Sequence, residues 1–235
     1  MQIFYAPDIR LNPELPEEEA RHALRVLRLG EGDELRLTDG KGTLYRAVIR
    51  EANQRHCFVN VVEQSEQLPL WDFHLHIAIA PTKNMDRIEW FCEKATEIGI
   101  DAITFLNCRF SERREIKLQR LEKVLVSAMK QSGKAKLPAL TGMTSFSTFI
   151  HQPFNGQAFI AHCEEGEKPL LQHRCQPGGR VLILIGPEGD FSPEEITQAT
   201  SAGFASISLG RSRLRTETAA LAACHTTHIL NSPPL

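Results

Sequence analysis

Two short stretches gather the residue types that small-molecule chemistry needs. In VLILIGPEGDFSPEEI, residues 181–196, an apolar run ends on Gly186, Pro187, Glu188 and Gly189, and a helix signal follows almost at once. In open α/β sheets, ligands settle at the carboxyl ends of the strands. Glycine carries no Cβ, so a ligand can lie against bare backbone there, and free N–H and C=O groups can read an adenine or a carboxylate. The stretch is neither a Walker loop, lacking the GK[ST] ending, nor a GxGxxG turn. Its bland alternative is a tight connection of ordinary turn residues. In SLGRSRLRTETAAL, residues 208–221, Gly210 ends a second strand signal, and Arg211, Arg213 and Arg215 crowd a short loop. Thr216, Glu217 and Thr218 then fall in the first turn of a helix, which Thr216 can cap and Glu217 suits electrostatically. Arginines beside a carboxylate can pair ions, grip phosphate or tune a proton acceptor; they can equally be solvated residues before a capped helix. Two such loops at the ends of adjacent strands predict one shared pocket.

Other groups stand around these stretches. Arg109 and Ser111 follow a strand signal, and Arg109 is within reach of the same pocket edge. Glu93, Lys94 and Glu97 lie on a predicted helix, where ion pairs along the face are the simple reading. Arg21, His22, Arg25 and Arg28 form a compact basic patch suited to bidentate phosphate contact, with His22 equally readable as a hydrogen-bonded packing residue. Residues 1–70 hold nine Lys/Arg against twelve Asp/Glu, so any nucleic-acid contact there uses a local surface. Between Arg109 and Lys136, nine basic residues face only Glu112, Glu115 and Glu122; that excess can meet a phosphate backbone or be a solvated helix face with ordinary ion pairs.

Several chemistries find no support. No GxSxG nucleophile elbow occurs. The six cysteines form no CxxC pair, which fits reduced thiols in a cytosolic protein better than a disulfide framework. His74 and His76 share a strand face, and His225 and His228 a helical one, but neither pair has a third ligand, so no metal is expected. Glu164–Glu165 reads as a solvated turn near Gly166.

The elements that must position these residues follow from periodicity. The chain has 235 residues, 42% hydrophobic and 24% charged, with net charge −2, which suits one large domain or two smaller folded ones. No run approaches the roughly 20 apolar residues of a membrane span, and the N-terminus carries no secretory pattern. Residues 1–70 show short alternating strands with tight turns around a helical ARHALRVLRL, which suggests a small barrel. Around Leu68–Pro69–Leu70 the pattern changes. From residue 71 to 235, strand signals (DFHLHIAIAP, AITFLNC, 156–161, 180–185, 206–209) alternate with helix signals (RIEWFCEKATEIG, LQRLEKVLVSAMKQ, SPEEITQATSAG, and a last helix from Thr216). That order predicts an α/β domain with a mainly parallel sheet. Leu118, Leu121, Leu125 and Met129 make one helical stripe, and Ser192, Pro193, Glu194 and Glu195 start a capped helix that Gly203 can end.

HALRVLRLGEGDELRLTDGKG, EKATEIGI, AMKQSGK, LIGPEGDFSPEEI, and LG followed by LRTETAAL occur in this order along nearly the whole chain. In these the chain resembles the RsmE family, bacterial 16S ribosomal RNA uridine N3-methyltransferases of the SPOUT superfamily. The resemblance implies an N-terminal PUA-like small β-barrel (1–70) that helps hold RNA through Arg21, His22, Arg25 and Arg28. It also implies a C-terminal α/β domain (71–235) with a trefoil knot, and a cytoplasmic homodimer without metal. S-adenosyl-L-methionine would be held by Leu184, Ile185, Gly186, Pro187, Glu188 and Gly189 on one side. Leu209, Gly210, Leu214, Thr216, Thr218 and Ala219 would line the other. Arg215 and Glu217 would lie on that side too, and the resemblance gives the substrate as a uridine of 16S ribosomal RNA in the small ribosomal subunit. The residue types themselves make Arg109 and Arg215 the catalytic candidates for charge on the base or its phosphate, and Glu217 the candidate proton acceptor or orienting group, with holding an arginine or capping the helix as its alternatives. The rival readings are a SPOUT methyltransferase acting on transfer RNA and a non-catalytic ribosome-assembly protein that binds RNA. The chain departs from the family pattern at Asp190, where a second glycine is usual and where a carboxylate can cap the next helix or add charge near the cofactor. It departs again at Arg211–Ser212–Arg213, where proline, arginine and isoleucine are usual, and at Ser127, where an acidic residue is frequent.

Overall fold

The computed structural model describes residues 2–53 and 56–232. The chain forms two compact units, one of Met1–Pro69 with Leu125–Leu137, the other of Leu70–Val124 with Pro138–Leu235.

In the first unit, β1 (Ile3–Tyr5), β2 (Glu34–Thr38), β3 (Thr43–Ala52) and β4 (Cys57–Glu66) form a sheet in that order. Its edges approach one another: Val59 N–H donates to Pro13 O and Leu15 N–H to Cys57 O, both at 2.9 Å. The segment that leaves β1 at one edge thus pairs with β4 at the other within ten residues, which requires a curled sheet. Alternate residues of β2 and β3, among them Leu35, Leu37, Tyr45, Ala47 and Ile49, fill its core. The predicted helix is α1 (Glu17–Arg21), which widens into a π-helical turn over His22–Val26. That turn ends at Arg28, whose φ of 57° is left-handed, a conformation in which glycine is usual after a helix.

In the second unit six parallel strands take the order β10-β8-β9-β5-β6-β7. They are β5 (His74–Ile79), β6 (Ala102–Asn107), β7 (Ala139–Ser145), β8 (Gln157–Ala161), β9 (Arg180–Ile185) and β10 (Ala205–Ile207). Helices α2 (Met85–Ile98), α4 (Phe146–Ile150), α5 (Leu171–Arg174), α6 (Pro193–Ser201) and α7 (Thr216–Asn231) alternate with them, and α3 (Leu118–Gln131) leads out of this unit into the first. Five consecutive residues of β9, Val181–Ile185, are buried, as a strand covered on both faces should be. On α3 the predicted stripe holds: Leu121, Leu125 and Met129 are buried and Leu118 is half-buried. Strand β7 and helices α4 and α5 had no periodic signal. The pocket argument also needs a correction. Strands β9 and β10 are not neighbours, because β8 lies between them.

Candidate cofactor site

The ends of β8, β9 and β10 open onto a cavity of about 870 Å³, within the size range of small-molecule sites. Residues 185–188 and 190 form one wall, residues 207–216 with Ala219 the opposite one, and residues 161–166 with Lys168 the wall between; Arg87 of α2 closes a corner. Both chemistry-bearing stretches therefore meet at one cavity. The third wall was missed, although residues 156–161 read as a strand; by the carboxyl-end rule the turn after it belonged to the site. Glu164–Glu165 is exposed, as read, and also lines the cavity.

The structure places Ile185, Gly186, Pro187, Glu188, Leu209, Gly210, Leu214, Arg215, Thr216 and Ala219 on the cavity wall. It does not bring Leu184, Gly189, Thr218, Arg109 or Glu217 to that wall. Leu184 is fully buried in the sheet core. A Cβ on Gly189 would stand 3.1 Å from Phe110 Cβ, so this glycine serves close packing of the turn. Gly186 permits another close approach, since its Cβ would lie 3.1 Å from the Phe191 nitrogen. Gly210 has a φ of 134°, which a side chain would rarely adopt.

The β9 turn is held from several directions. The Ser192 hydroxyl accepts from Glu195 N–H, and Glu195 Oε2 accepts from Ser192 N–H at 2.9 Å, a reciprocal cap on α6. Glu195 Oε1 also accepts Arg109 N–H at 2.8 Å. The Arg109 guanidinium turns outward to Glu194, 3.3 Å away. Glu188 Oε1 accepts Lys83 N–H at 2.9 Å, linking the turn to the segment after β5. Thr216 does not cap α7; Arg215 holds the N-cap position and no side chain caps there.

Glu217 is buried, with Oε1 3.9 Å from Arg87 Nε and Oε2 without a hydrogen-bond partner. Beside the cavity, His162 Nε2 meets Ser206 Oγ at 3.0 Å while Nδ1 is buried and unpartnered. Burial, reinforced by Lys168 and opposed by Asp190 and Glu164, lowers the His162 pKa. Ile185, Ile207, Leu209 and Leu214 give the wall an apolar face, while the glycine-bearing turns expose backbone. That combination fits an adenosyl group with an amino-acid tail: apolar walls for a flat base, main-chain groups for polar edges, and ionic side chains at the rim.

The basic groups read from sequence are distributed. Arg113 donates to Lys83 O at 2.6 Å, Arg120 pairs with Glu89, and Lys94 pairs with Glu93 and Glu97. In the first unit Arg21, Arg25 and Arg28 are exposed around the π-helical turn, whereas His22 stacks edge-on against Phe4 at 5.9 Å. His228 Nε2 lies 2.7 Å from Gly99 O and its ring packs on Trp71 and Phe73.

A family model described as an RNA methyltransferase domain matches residues 69–228, and one described as an RNA methyltransferase PUA domain matches residues 15–62. Fold and site together thus define the class: a PUA-type unit joined to an RNA methyltransferase domain of parallel α/β architecture. The ribosomal RNA small subunit methyltransferase E of Mycobacterium bovis is 29% identical over 98% of this chain and 92% of its own. A probable rRNA-methyltransferase from Porphyromonas gingivalis is 47% identical, with a TM-score of 0.95 and 98% of each chain covered. The ribosomal RNA small subunit methyltransferase E of Neisseria gonorrhoeae, solved bound to S-adenosyl methionine, is 27% identical over 98% of each chain, with a TM-score of 0.87. The chain belongs to the RsmE rRNA methyltransferase family of the SPOUT superfamily.

Proposed function

We propose that this protein transfers a methyl group from S-adenosylmethionine to N3 of a uridine in 16S ribosomal RNA of the small subunit. The observation that carries the reading is the single cavity into which three strand-end turns converge, built by the stretches that bear the family pattern. The printed activity of the Mycobacterium relative and the cofactor in the Neisseria structure support it.

Bound in the cavity, the cofactor supplies an electrophilic methyl group. Uridine N3 carries a proton, so the chain must orient the base, assist loss of that proton and neutralise charge spreading onto O2 and O4. The base must also leave any stack to enter. Arg215, on the wall, is assigned to the base oxygens or the adjoining phosphate. Arg109, exposed outside the wall with its guanidinium over the Phe110 ring and beside the exposed Glu194 carboxylate, is assigned to RNA phosphate. Glu217 is assigned as the orienting group for Arg87, which reaches the cavity where Glu217 does not; direct proton acceptance is its alternative role. Main-chain and apolar groups of residues 185–188 and 209–216 would hold the cofactor, with Leu184 and Gly189 supporting the turn from behind. Thr218 is exposed on α7, and nothing in its placement gives it a contact.

The trefoil knot belongs to this reading. It is supported by the path of the chain: after edge strand β10 it pairs with the Pro169–Leu171 segment through Ser208 and then returns to pack α7 on the central strands β5 and β9. A homodimer is supported by Trp90 and Ile229, both exposed on helices α2 and α7 that pack together. The six free cysteines suit a reducing cytoplasm. RNA would be held through Arg21, Arg25 and Arg28, with His22 shaping the patch.

The test is methylation of small subunits lacking the mark, followed by mapping of the base. A product at uridine N3 is expected. Product on transfer RNA alone would transfer the assignment to that substrate, and RNA binding without cofactor binding would make the chain an assembly protein.

A further inference from the structure

We infer that Asp190 is a positioning residue that latches the third wall of the cavity to the first, and so preforms the cofactor site. Its carboxylate bridges two turns: Oδ2 accepts Cys163 N–H at 2.6 Å and Oδ1 accepts Phe191 N–H at 2.8 Å. Of the two roles read for this carboxylate in the sequence, the helix cap falls to another residue, while its place on the cavity wall keeps its charge beside the cofactor site. The helix cap is Ser192, and both carboxylate oxygens are turned onto backbone.

The latch sits where one is needed. The ladder between β8 and β9 stops at the Ala161–Ile185 pair, so residues 162–168 leave the sheet without further strand pairing to the β9 turn. At the far end this segment is tied to the opposite wall, because Ser208 N–H donates to Pro169 O at 2.9 Å and Leu171 N–H to Ser208 O at 3.0 Å. Within the segment the Lys168 ammonium donates to Glu164 O and Gly166 O. At the near end the tie to the β9 turn is Asp190. Hydrogen bonds from backbone N–H to a carboxylate are charge-assisted and stronger than neutral ones.

The backbone makes the arrangement informative. Asp190 has a φ of 67°, a left-handed conformation that glycine adopts freely and that Asp tolerates at a cost. A side chain kept there against that cost is bonded at both oxygens. Without the latch, the turn after β8 would spend part of its time away from the cavity. Apparent cofactor affinity falls in proportion to the competent fraction.

The inference rests on the cofactor reading of this cavity, and the experiment separates the two. Asp190→Gly removes the latch while suiting the left-handed backbone. Amide exchange over residues 162–168 is expected to accelerate, and the Kd for S-adenosylmethionine to rise about tenfold. The loss is read both as the Kd and as the KM for S-adenosylmethionine, which are expected to rise together. Asp190→Asn keeps one acceptor and tolerates the same φ, so its Kd is expected between the two. Cys163 is the exposed member of the six free cysteines, and its modification by a thiol reagent should quicken in Asp190→Gly. Unchanged exchange and labelling in Asp190→Gly would overturn the latch. Faster exchange with an unchanged Kd would overturn the positioning role. Absence of cofactor binding by the unaltered protein would overturn the cofactor reading itself, and the positioning role with it.

Discussion

At the scale of single residues, the informative group is Glu217. A carboxylate among arginines at a strand-to-helix turn suggests a proton acceptor when only the sequence is in view. In the fold the carboxylate is buried behind Arg87, one oxygen 3.9 Å from the guanidinium and the other unpartnered. A general base has to reach the proton it removes, directly or through one water, and Glu217 does not line the cavity. Glu217→Gln keeps an acceptor for Arg87 and removes the charge. If Glu217 orients Arg87, kcat should fall by less than about tenfold, whereas loss of a general base costs about 10²–10⁴-fold. Single-turnover methylation measures the difference, with Arg87→Ala expected to cost at least as much as Glu217→Gln. A hundredfold loss in Glu217→Gln with Arg87→Ala nearly unimpaired would restore the acceptor role.

At the scale of elements, legibility followed the strength of local pattern. The helix α3 is readable because its apolar residues recur on one face, and α6 because Ser192, Pro193 and Glu195 are all local start signals. Strand β9 is readable as an unbroken apolar run. Strand β7 (ALTGMTS) was not: it is the sheet edge, and its only burial is partial, so neither alternation nor a buried run marks it. The turn after β8 was passed over because its residues are polar and exposed, and such residues read as solvated whether or not a cavity lies behind them. The order β10-β8-β9 is set by long-range pairing that no window of sequence contains. Buried strand β5 carries the element-scale prediction. His76 is enclosed there against Phe149 and lies 2.9 Å from Thr104 Oγ1. Burial, aided by the nearby His74 and Arg180, pushes its pKa down to about 4. The neutral ring is thus favoured in the folded state, while the unfolded chain takes up a proton near pH 6.5. The associated stability is fully present above about pH 6.5 and is lost as pH falls to about 4, amounting to about 3 kcal/mol. Denaturant unfolding across that interval should show the loss, and His76→Gln, though less stable near neutrality, should show a shallower slope. Equal slopes would mean that other groups govern acid sensitivity.

At the scale of the whole molecule, each unit has its own buried core, and the two tasks of the proposed reaction fall to different units. The passage of Leu125–Leu137 into the first unit leaves no local trace in the sequence; one of its ties, from the Thr38 hydroxyl to Ala135 O at 2.8 Å, links residues 97 positions apart. The cavity is walled wholly by residues of the second unit, whereas Arg21, Arg25 and Arg28 are exposed on the first. Neutralising these three should therefore weaken RNA binding without touching cofactor binding. Arg28 is left-handed, so Arg21→Gln and Arg25→Gln are best combined with Arg28→Gly, which suits that backbone. Each phosphate contact releases counterions, contributing about −0.7 to −0.9 to the slope of log affinity against log salt. If all three arginines meet phosphates, that slope should become shallower by about 2 to 3, with the Kd for S-adenosylmethionine unchanged and KM for the RNA substrate raised. A salt slope identical to that of the unaltered protein would remove the π-helical turn from the RNA surface. A parallel loss of cofactor affinity would mean that the cavity depends on the first unit, against the division of labour that the distribution of residues implies.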